Sequence, residues 1–565
     1  MDVSMESNST GFGTQTTMEG RYTKFLGWLT ESRGVILETN LIQAHNFVEN
    51  GEGWGMIAIT DIKKGTNLFS IPRRPGGKNS FSSPLLSVQS STLLSNLNTQ
   101  DRLKISRNWI PLLLVLLYER VQAILDPTGS RSWAPYFDTL PQEFDTLMFW
   151  SPEELAELTG STITGKYQKK IGKEEAEKDY FEVIKPLIES RADIFVVPEG
   201  TSWETNYGIS RYHQMGSLIL SRSFHVEASS EISTQEEDIS MDSISTGHHS
   251  VHDSSLDQTS LHSETLDEEE EEREAVQDIA LVPLADLLNA KTGSENAKLF
   301  YEIEWLKMNA TRNIKKGEQI YNTYGDPPNA DLLRRYGHVD VPNRYDVVEI
   351  SIKTCLEVVA SSPLVKITEE ESQERLDWAL EMGIDELSLL PLFSISPFFH
   401  FGFSIISSFV YSVFEIPTEL ERKSNGDPLL PEELTCILQI FLLTKPDFED
   451  HKSKEKLPKP KLNSSEVIIL AQKVIERRMK EYPTSIEEDE SLLARLGSTD
   501  DHRKIKAIIV RKSEKEILVQ LLDSLALKLT AFYAKDSDSS NPPSIQKRKP
   551  DSCNQNSNLK IRKTK

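Results

Sequence analysis

The chain of 565 residues is long enough for three to four domains at about 150 residues each, and its 38% apolar and 8% aromatic content can bury a sizeable core in part of it. Its 63 basic and 87 acidic side chains leave a net charge of −24. An acidic body argues against a protein that coats nucleic acid, which presents a basic face, and suits a basic protein partner. Three scattered cysteines, Cys355, Cys436 and Cys553, exclude a disulfide scaffold and an all-cysteine zinc cluster and fit a reducing compartment.

Residues 1–20 are polar, without the apolar stretch of a secretory signal, and read as disordered. A helix follows, with Tyr22, Phe25, Leu26 and Leu29 on one face. Gly51-Glu52-Gly53-Trp54-Gly55 is a glycine turn before a strand at 56–59. Asp61-Ile62-Lys63-Lys64-Gly65 is a turn before a second strand at 68–72. From about 84 to 220 the pattern is mostly helical, as at 112–121 and 180–188. The apolar run 109–117 is well short of the ~20 residues of a membrane span.

Residues 226–275 hold sixteen acids, one arginine and eleven serines. Such a segment buries too little to offset its ordering entropy, and reads as a disordered acidic loop inserted into a folded domain. Strand signals resume at 279–284, 299–305 and 314–321, and Asn313-Ile314-Lys315-Lys316-Gly317 repeats the pattern of the first turn. Beyond 343 helices are expected at 370–380, 432–443, 465–482 and 505–532, interrupted by a Lys/Pro-rich linker at 451–461. Seven of the seventeen residues 398–414 are Phe or Tyr without a clean period; a buried irregular segment or a translated intron would account for them. The tail 536–565 is polar, then basic. Its clusters at 547–549 and 560–563 have the pattern of a bipartite nuclear address.

Chemistry is concentrated in four strings of the first half. They are the glycine turn 51–55, which lets backbone approach a ligand, and Pro283-Leu284-Ala285-Asp286-Leu287-Leu288-Asn289-Ala290, where a carboxylate and an amide sit three apart. The others are Gly317-Glu318-Gln319-Ile320-Tyr321-Asn322-Thr323-Tyr324-Gly325 and Leu332-Leu333-Arg334-Arg335-Tyr336-Gly337-His338-Val339, two Tyr-Gly pairs twelve residues apart.

Together these strings resemble the SET-domain protein methyltransferases: the glycine turn their early S-adenosylmethionine loop, 283–290 their PxADxxNH stretch, and 317–325 their GEExxxxYG segment. The long helical insert, Ser221-Arg222-Ser223-Phe224 and the string 482–490 narrow the resemblance to the Rubisco large-subunit methyltransferase-like class. Asn289-Ala290 and 328–336 narrow it further, to the fungal ribosomal-protein lysine methyltransferase branch. The resemblance covers roughly residues 21–535.

It implies a β-rich SET fold over 21–340 with a helical insert at about 84–220, followed by an all-α substrate-binding domain over 343–535. It implies an S-adenosylmethionine-dependent protein-lysine methyltransferase with no metal. Glu52, Gly53, Trp54, Asn289, Ala290 and Tyr336 match cofactor contacts, Arg222, Asp286 and Tyr301 match the lysine channel, and Tyr324 matches the catalytic tyrosine. Ala290 stands where the family has His, which puts an imidazole contact there in doubt but not a backbone one.

The implied partner is a basic protein, a large-subunit ribosomal protein, with no direct nucleic-acid or membrane contact. The chain is expected to be a monomer, in the nucleus and also in the cytoplasm. Two other readings stay open. One is a catalytically inactive lysine-binding scaffold, against which the intact string 318–325 speaks. The other is the same fold acting on a non-ribosomal lysine or on histidine. The acidic string 487–490 can either select a basic partner or cap the helix after it.

Overall fold

The computed structural model describes residues 17–47, 52–73, 82–106, 109–167, 173–226, 279–384, 413–425, 428–497 and 501–538. The expectations for residues 1–16, for the acidic loop from 227 on, for the aromatic stretch 398–412 and for the tail from 539 lie outside them.

The first half is built on short strands: β1 (Ile36–Leu37), β2 (Ile42–Asn46), β3 (Trp54–Ala58), β4 (Asn67–Pro72), β5 (Leu86–Ser87), β6 (Ser223–His225), β7 (Ile279–Leu281), β8 (Ala297–Tyr301), β9 (Trp305–Ala310) and β10 (Gln319–Ile320). They pair in three small antiparallel sheets, ordered β1-β4-β9-β8, β10-β3-β2 and β5-β7-β6. The two look-alike turns face each other. Ile62 and Ile314 exchange backbone hydrogen bonds of 2.8 and 2.9 Å, while the Asp61 carboxylate caps Lys316 N at 3.0 Å and the Asn313 side chain caps Lys64 N at 2.9 Å. Each turn thus satisfies the backbone of the other. The strand expected at 314–321 is only this bridge plus β10, because Lys315–Gly317 are spent on the turn.

The helical insert wraps these sheets. The apolar run 109–117 lies at the start of the helix Ile110–Leu125, and Ile110 to Leu117 are all buried. A helix apolar all round belongs in a core. The helical stretch expected at 112–121 falls inside this helix. The helix Ile209–Arg222 packs against it, with Met215, Leu218 and Ile219 inward.

Among the described residues, the C-terminal region is helical apart from one two-stranded sheet, β11 (Val347–Ser351) with β12 (Val413–Pro417). The end of the aromatic stretch thus enters β12, Phe414 and Ile416 facing the core. Around it lie the helices Glu369–Glu381, Glu432–Leu442, Ser465–Met479 and Ile486–Leu496. The long helix His502–Asp538 runs past them, six residues beyond its expected end. By length and composition its stretch His502–Ala534 suffices to cross a membrane, but Ile517, Leu518, Leu521 and Leu525 are built into the C-terminal core.

Where the two halves meet, Trp150, Leu158 and Ile163 of the insert, Ala330 and Leu333, and Ala507 and Val510 of the long helix form a small apolar cluster. Beside it the buried Glu514 carboxylate accepts 3.0 Å bonds from Thr162 N and a 2.6 Å bond from the Tyr482 hydroxyl, with Arg478 Nη2 at 3.6 Å. Burial pushes Glu514 up to about 7. Asp489, inside the acidic string, is fully buried, held by Arg511 at 2.8 Å and Lys515 at 2.6 Å. Glu488 completes the capping box with Ser485. Two of the four acids in that string are therefore structural. Only Glu487 and Glu490 are exposed and outside the cap.

Candidate active site

Two groups of side chains converge between the sheets and the insert. The first gathers around Asp286, in the 3-10 turn Ala285–Leu287 after β7. Its side chain is almost fully buried and accepts a 2.6 Å hydrogen bond from the Tyr136 hydroxyl, which arrives from the short helix Ala134–Phe137 of the insert. Arg222, the last residue of the helix Ile209–Arg222, donates a 2.6 Å bond to the Asp286 carbonyl and keeps Nη1 3.6 Å from the carboxylate. A buried charge persists only when paired and hydrogen-bonded, and here both partners come from the helical insert.

Tyr324 closes this group. Its ring stacks on Tyr336 with centroids 4.4 Å apart, and its hydroxyl lies 3.3 Å from the Leu288 carbonyl, two residues after Asp286. Tyr336 is placed by the helix Asn329–Tyr336, which stops at Gly337 in the left-handed conformation with φ +72°. A Cβ there would lie 2.7 Å from the Asp145 backbone, so both the backbone and the space demand glycine. Burial pushes the Tyr324 and Tyr22 hydroxyls up to about 12 and Tyr136 higher still. All three stay protonated near neutral pH. They can orient a nitrogen by hydrogen bonds but cannot serve as bases.

The second group surrounds the glycine turn. Glu52 accepts 2.8 and 3.1 Å bonds from the Tyr321 hydroxyl, Phe47 N donates to the Gly53 carbonyl at 2.6 Å, and Trp54 stacks on Tyr22 at 4.2 Å. Asn289 and Ala290 are tied to the 317–325 string through backbone. Asn322 N donates to the Asn289 carbonyl at 2.9 Å, and Ala290 bridges Asn322. Ala290 thus enters this crossing through its main chain, which any residue supplies.

Tyr301 ends β8, with more than a third of its surface exposed. Tyr136, Tyr22 and Tyr321 are the residues the sequence reading missed. Tyr321 was legible, three residues before Tyr324 in the same string. Tyr136 carries no motif signal, since its partner is 150 residues away.

A small, strand-rich scaffold with a helical insert and a paired carboxylate–arginine–tyrosine pocket defines a SET-type fold. A SET-domain family description matches residues 53–325, and one for the Rubisco LSMT substrate-binding domain matches residues 408–518. The chain is 30% identical over 364 residues to ribosomal lysine N-methyltransferase 4 of Saccharomyces cerevisiae, covering 63% of this chain and 62% of that relative. It is 25% identical over 533 residues to the N-lysine methyltransferase setd6 of Xenopus laevis, covering 89% and 94%, and 27% identical over 495 residues to the human SETD6, covering 83% and 84%.

In fold it matches the SET domain of LSMT solved with lysine and AdoHcy, with TM-score 0.55, 18% identity and 94% and 97% of the two chains covered. It also matches Rubisco LSMT solved with AdoMet, with TM-score 0.53 and 19% identity over 94% and 97%. The chain belongs to the SET-domain protein-lysine N-methyltransferases that carry a Rubisco LSMT-type substrate-binding domain, enzymes that use S-adenosylmethionine.

The residues around the glycine turn fit that cofactor. Asn289 Nδ2 and both polar atoms of the Gln319 amide are buried without a hydrogen-bond partner. A Cβ on Gly55 would stand 2.9 Å from the first amide and 3.0 Å from the second. Buried amides are costly to leave unpaired, and this pair borders a backbone that only glycine keeps low. They leave donors and an acceptor unspent near the glycine turn, polar groups that would suit a cofactor carrying an amino group and a carboxylate. Among the described residues no cluster of His, Cys, Asp and Glu suits a metal.

Proposed function

We propose that this methyltransferase acts on a lysine of a large-subunit ribosomal protein, as a monomer, in the nucleus and also in the cytoplasm. The observation that carries the ribosomal assignment is the 30% identity to a yeast enzyme named for ribosomal lysines. The net charge of −24 supports it, since ribosomal proteins are basic and opposite charge speeds encounter. A wider set of acceptor proteins is the second reading, favoured by relatives whose names specify no acceptor and which cover up to 89% of the chain.

The site roles belong to the same proposal. S-adenosylmethionine supplies a methyl group on a positive sulfonium, held by Glu52, Gly53, Trp54, Asn289, Ala290 and Tyr336. The acceptor lysine enters past Arg222, Asp286 and Tyr301 and must be neutral to attack. From an ordinary pKa of about 10.4, deprotonation at pH 7 costs roughly 4–5 kcal/mol. A half-buried, aromatic-walled pocket lowers that cost by disfavouring the ammonium. The Asp286 carboxylate is already engaged by Tyr136 and faced by Arg222, so it steers the cation without trapping it as a salt bridge. The Tyr324 hydroxyl and the Leu288 carbonyl then align the nitrogen for in-line displacement, where alignment rather than acid–base chemistry supplies the rate.

The test is methylation of fractionated ribosomal proteins by the purified chain with isotopically labelled cofactor, the acceptor being identified by mass spectrometry. Label on a large-subunit protein lysine is expected. Label confined to non-ribosomal fractions would replace the first reading by the second.

A further inference from the structure

Within the insert, next to the Asp286 pocket, lies a cavity of about 260 Å³ that plays no part in the chemistry above. Its wall carries three guanidinium groups: Arg21 at the rim, Arg120 from the helix Ile110–Leu125, and Arg211 from the helix Ile209–Arg222. One carboxylate, the exposed Asp138, stands among them. Among the described residues none of the three arginines forms an ion pair.

Their neutral partners are few. Arg120 Nη1 donates to the Asn206 side chain at 3.5 Å, Arg211 Nε donates to the Thr205 carbonyl at 3.1 Å, and Arg211 Nη1 donates to Gln214 Oε1. A guanidinium has five N–H donors, so most of those on Arg120 and Arg211 are not spent within the protein. The arrangement is also electrostatically unfavourable by itself. Burial lowers Arg120 to about 10, and the neighbouring charge of Arg211 adds to the same effect. Two half-buried like charges held around one cavity are what an anion between them relieves.

We propose that this cavity binds a small oxyanion of the phosphate class through Arg120 and Arg211, with Arg21 closing the rim. Planar guanidinium forks match tetrahedral oxyanions bidentately, and the volume greatly exceeds the about 30 Å³ share of one water molecule. It accommodates a pyrophosphate-sized group. The site shares walls with the lysine pocket. Ala134 and Phe137 line it from the short helix whose Tyr136 holds Asp286, and Leu218 lines it from the helix that ends at Arg222.

Isothermal titration of the full chain with sodium pyrophosphate, and separately with inorganic phosphate, at ionic strength held constant with sodium chloride, tests this. Saturable binding is expected, weakened about tenfold in Arg120→Gln and in Arg211→Gln through loss of charge-assisted bonds. Because the half-buried arginines also pack, Arg21→Gln at the exposed rim provides a variant that leaves the fold alone, with a smaller, roughly threefold loss expected as one rim charge is removed. Absence of saturable binding to both anions in the wild-type chain, or equal affinity in wild type and all three variants, would overturn the proposal.

Discussion

The Tyr136 hydroxyl reaches across 150 residues of sequence to donate a 2.6 Å hydrogen bond to the Asp286 carboxylate. This bond fixes the carboxylate that Arg222 faces at 3.6 Å, and so sets the position of two charges that act on Tyr324. Tyr136→Phe removes one hydroxyl and leaves a buried carboxylate short of a partner, a cost of about 1–3 kcal/mol. The expected result is a KM for the protein substrate raised roughly fivefold or more, with cofactor affinity unchanged. Steady-state kinetics with direct titration of the cofactor checks this; a fall in kcat with KM unchanged would move Tyr136 out of substrate positioning.

Tyr324→Phe keeps the ring stacked on Tyr336 at 4.4 Å and removes only the hydroxyl near the Leu288 carbonyl. That hydroxyl serves the aligned complex more than binding, so kcat should fall about a hundredfold or more, with cofactor affinity within a few fold. Near-normal turnover would exclude the role.

The junction between the halves should respond to pH. Burial pushes Glu514 from 4.5 up to about 7 and Asp346 from 3.8 up to about 6. A carboxyl raised in the folded state favours folding while protonated. Its contribution is complete below the unfolded pKa and is lost as pH rises through the folded value. For Glu514 the loss runs from about pH 4.5 to 7 and amounts to up to about 3 kcal/mol. Urea unfolding at pH 5 and pH 7.5 should therefore show Glu514→Gln losing less stability over that interval than the wild type. Parallel losses in both proteins would show that this carboxyl does not titrate there.

The acidic string 487–490 divides into two roles. Asp489→Ala strips Arg511 and Lys515 of a fully buried partner, which costs about 3–5 kcal/mol and should appear as a lowered thermal midpoint. The exposed pair Glu487→Lys and Glu490→Lys should leave that midpoint within a few degrees while raising KM for an intact basic protein and not for a short peptide. Equal KM changes on both substrates would remove this surface from partner selection.

The strings around Glu52, Asp286, Tyr324 and Tyr336 were readable because each lies within nine consecutive residues, where turn chemistry and spacing are local properties of the chain. The short strands of the first half, the helical insert and the helical C-terminal region were readable for the same reason, while the SET fold followed from the resemblance those strings carry. Each element writes its own period or breaker into the sequence. The helix Ile110–Leu125 was among them, expected at 112–121.

Contacts between distant segments left no such trace. Tyr136 next to Asp286, the mutual capping of the two Lys-Lys-Gly turns, and Asp489 between Arg511 and Lys515 join groups whose sequence neighbours do not differ from those of ordinary surface residues. An aspartate in a run of acids reads as solvated until a long helix lays two cations over it. Which side chains face one another, and which charges are removed from water, depends on how separate elements pack. Packing is decided by the whole core at once, so those relationships exist only in the tertiary structure.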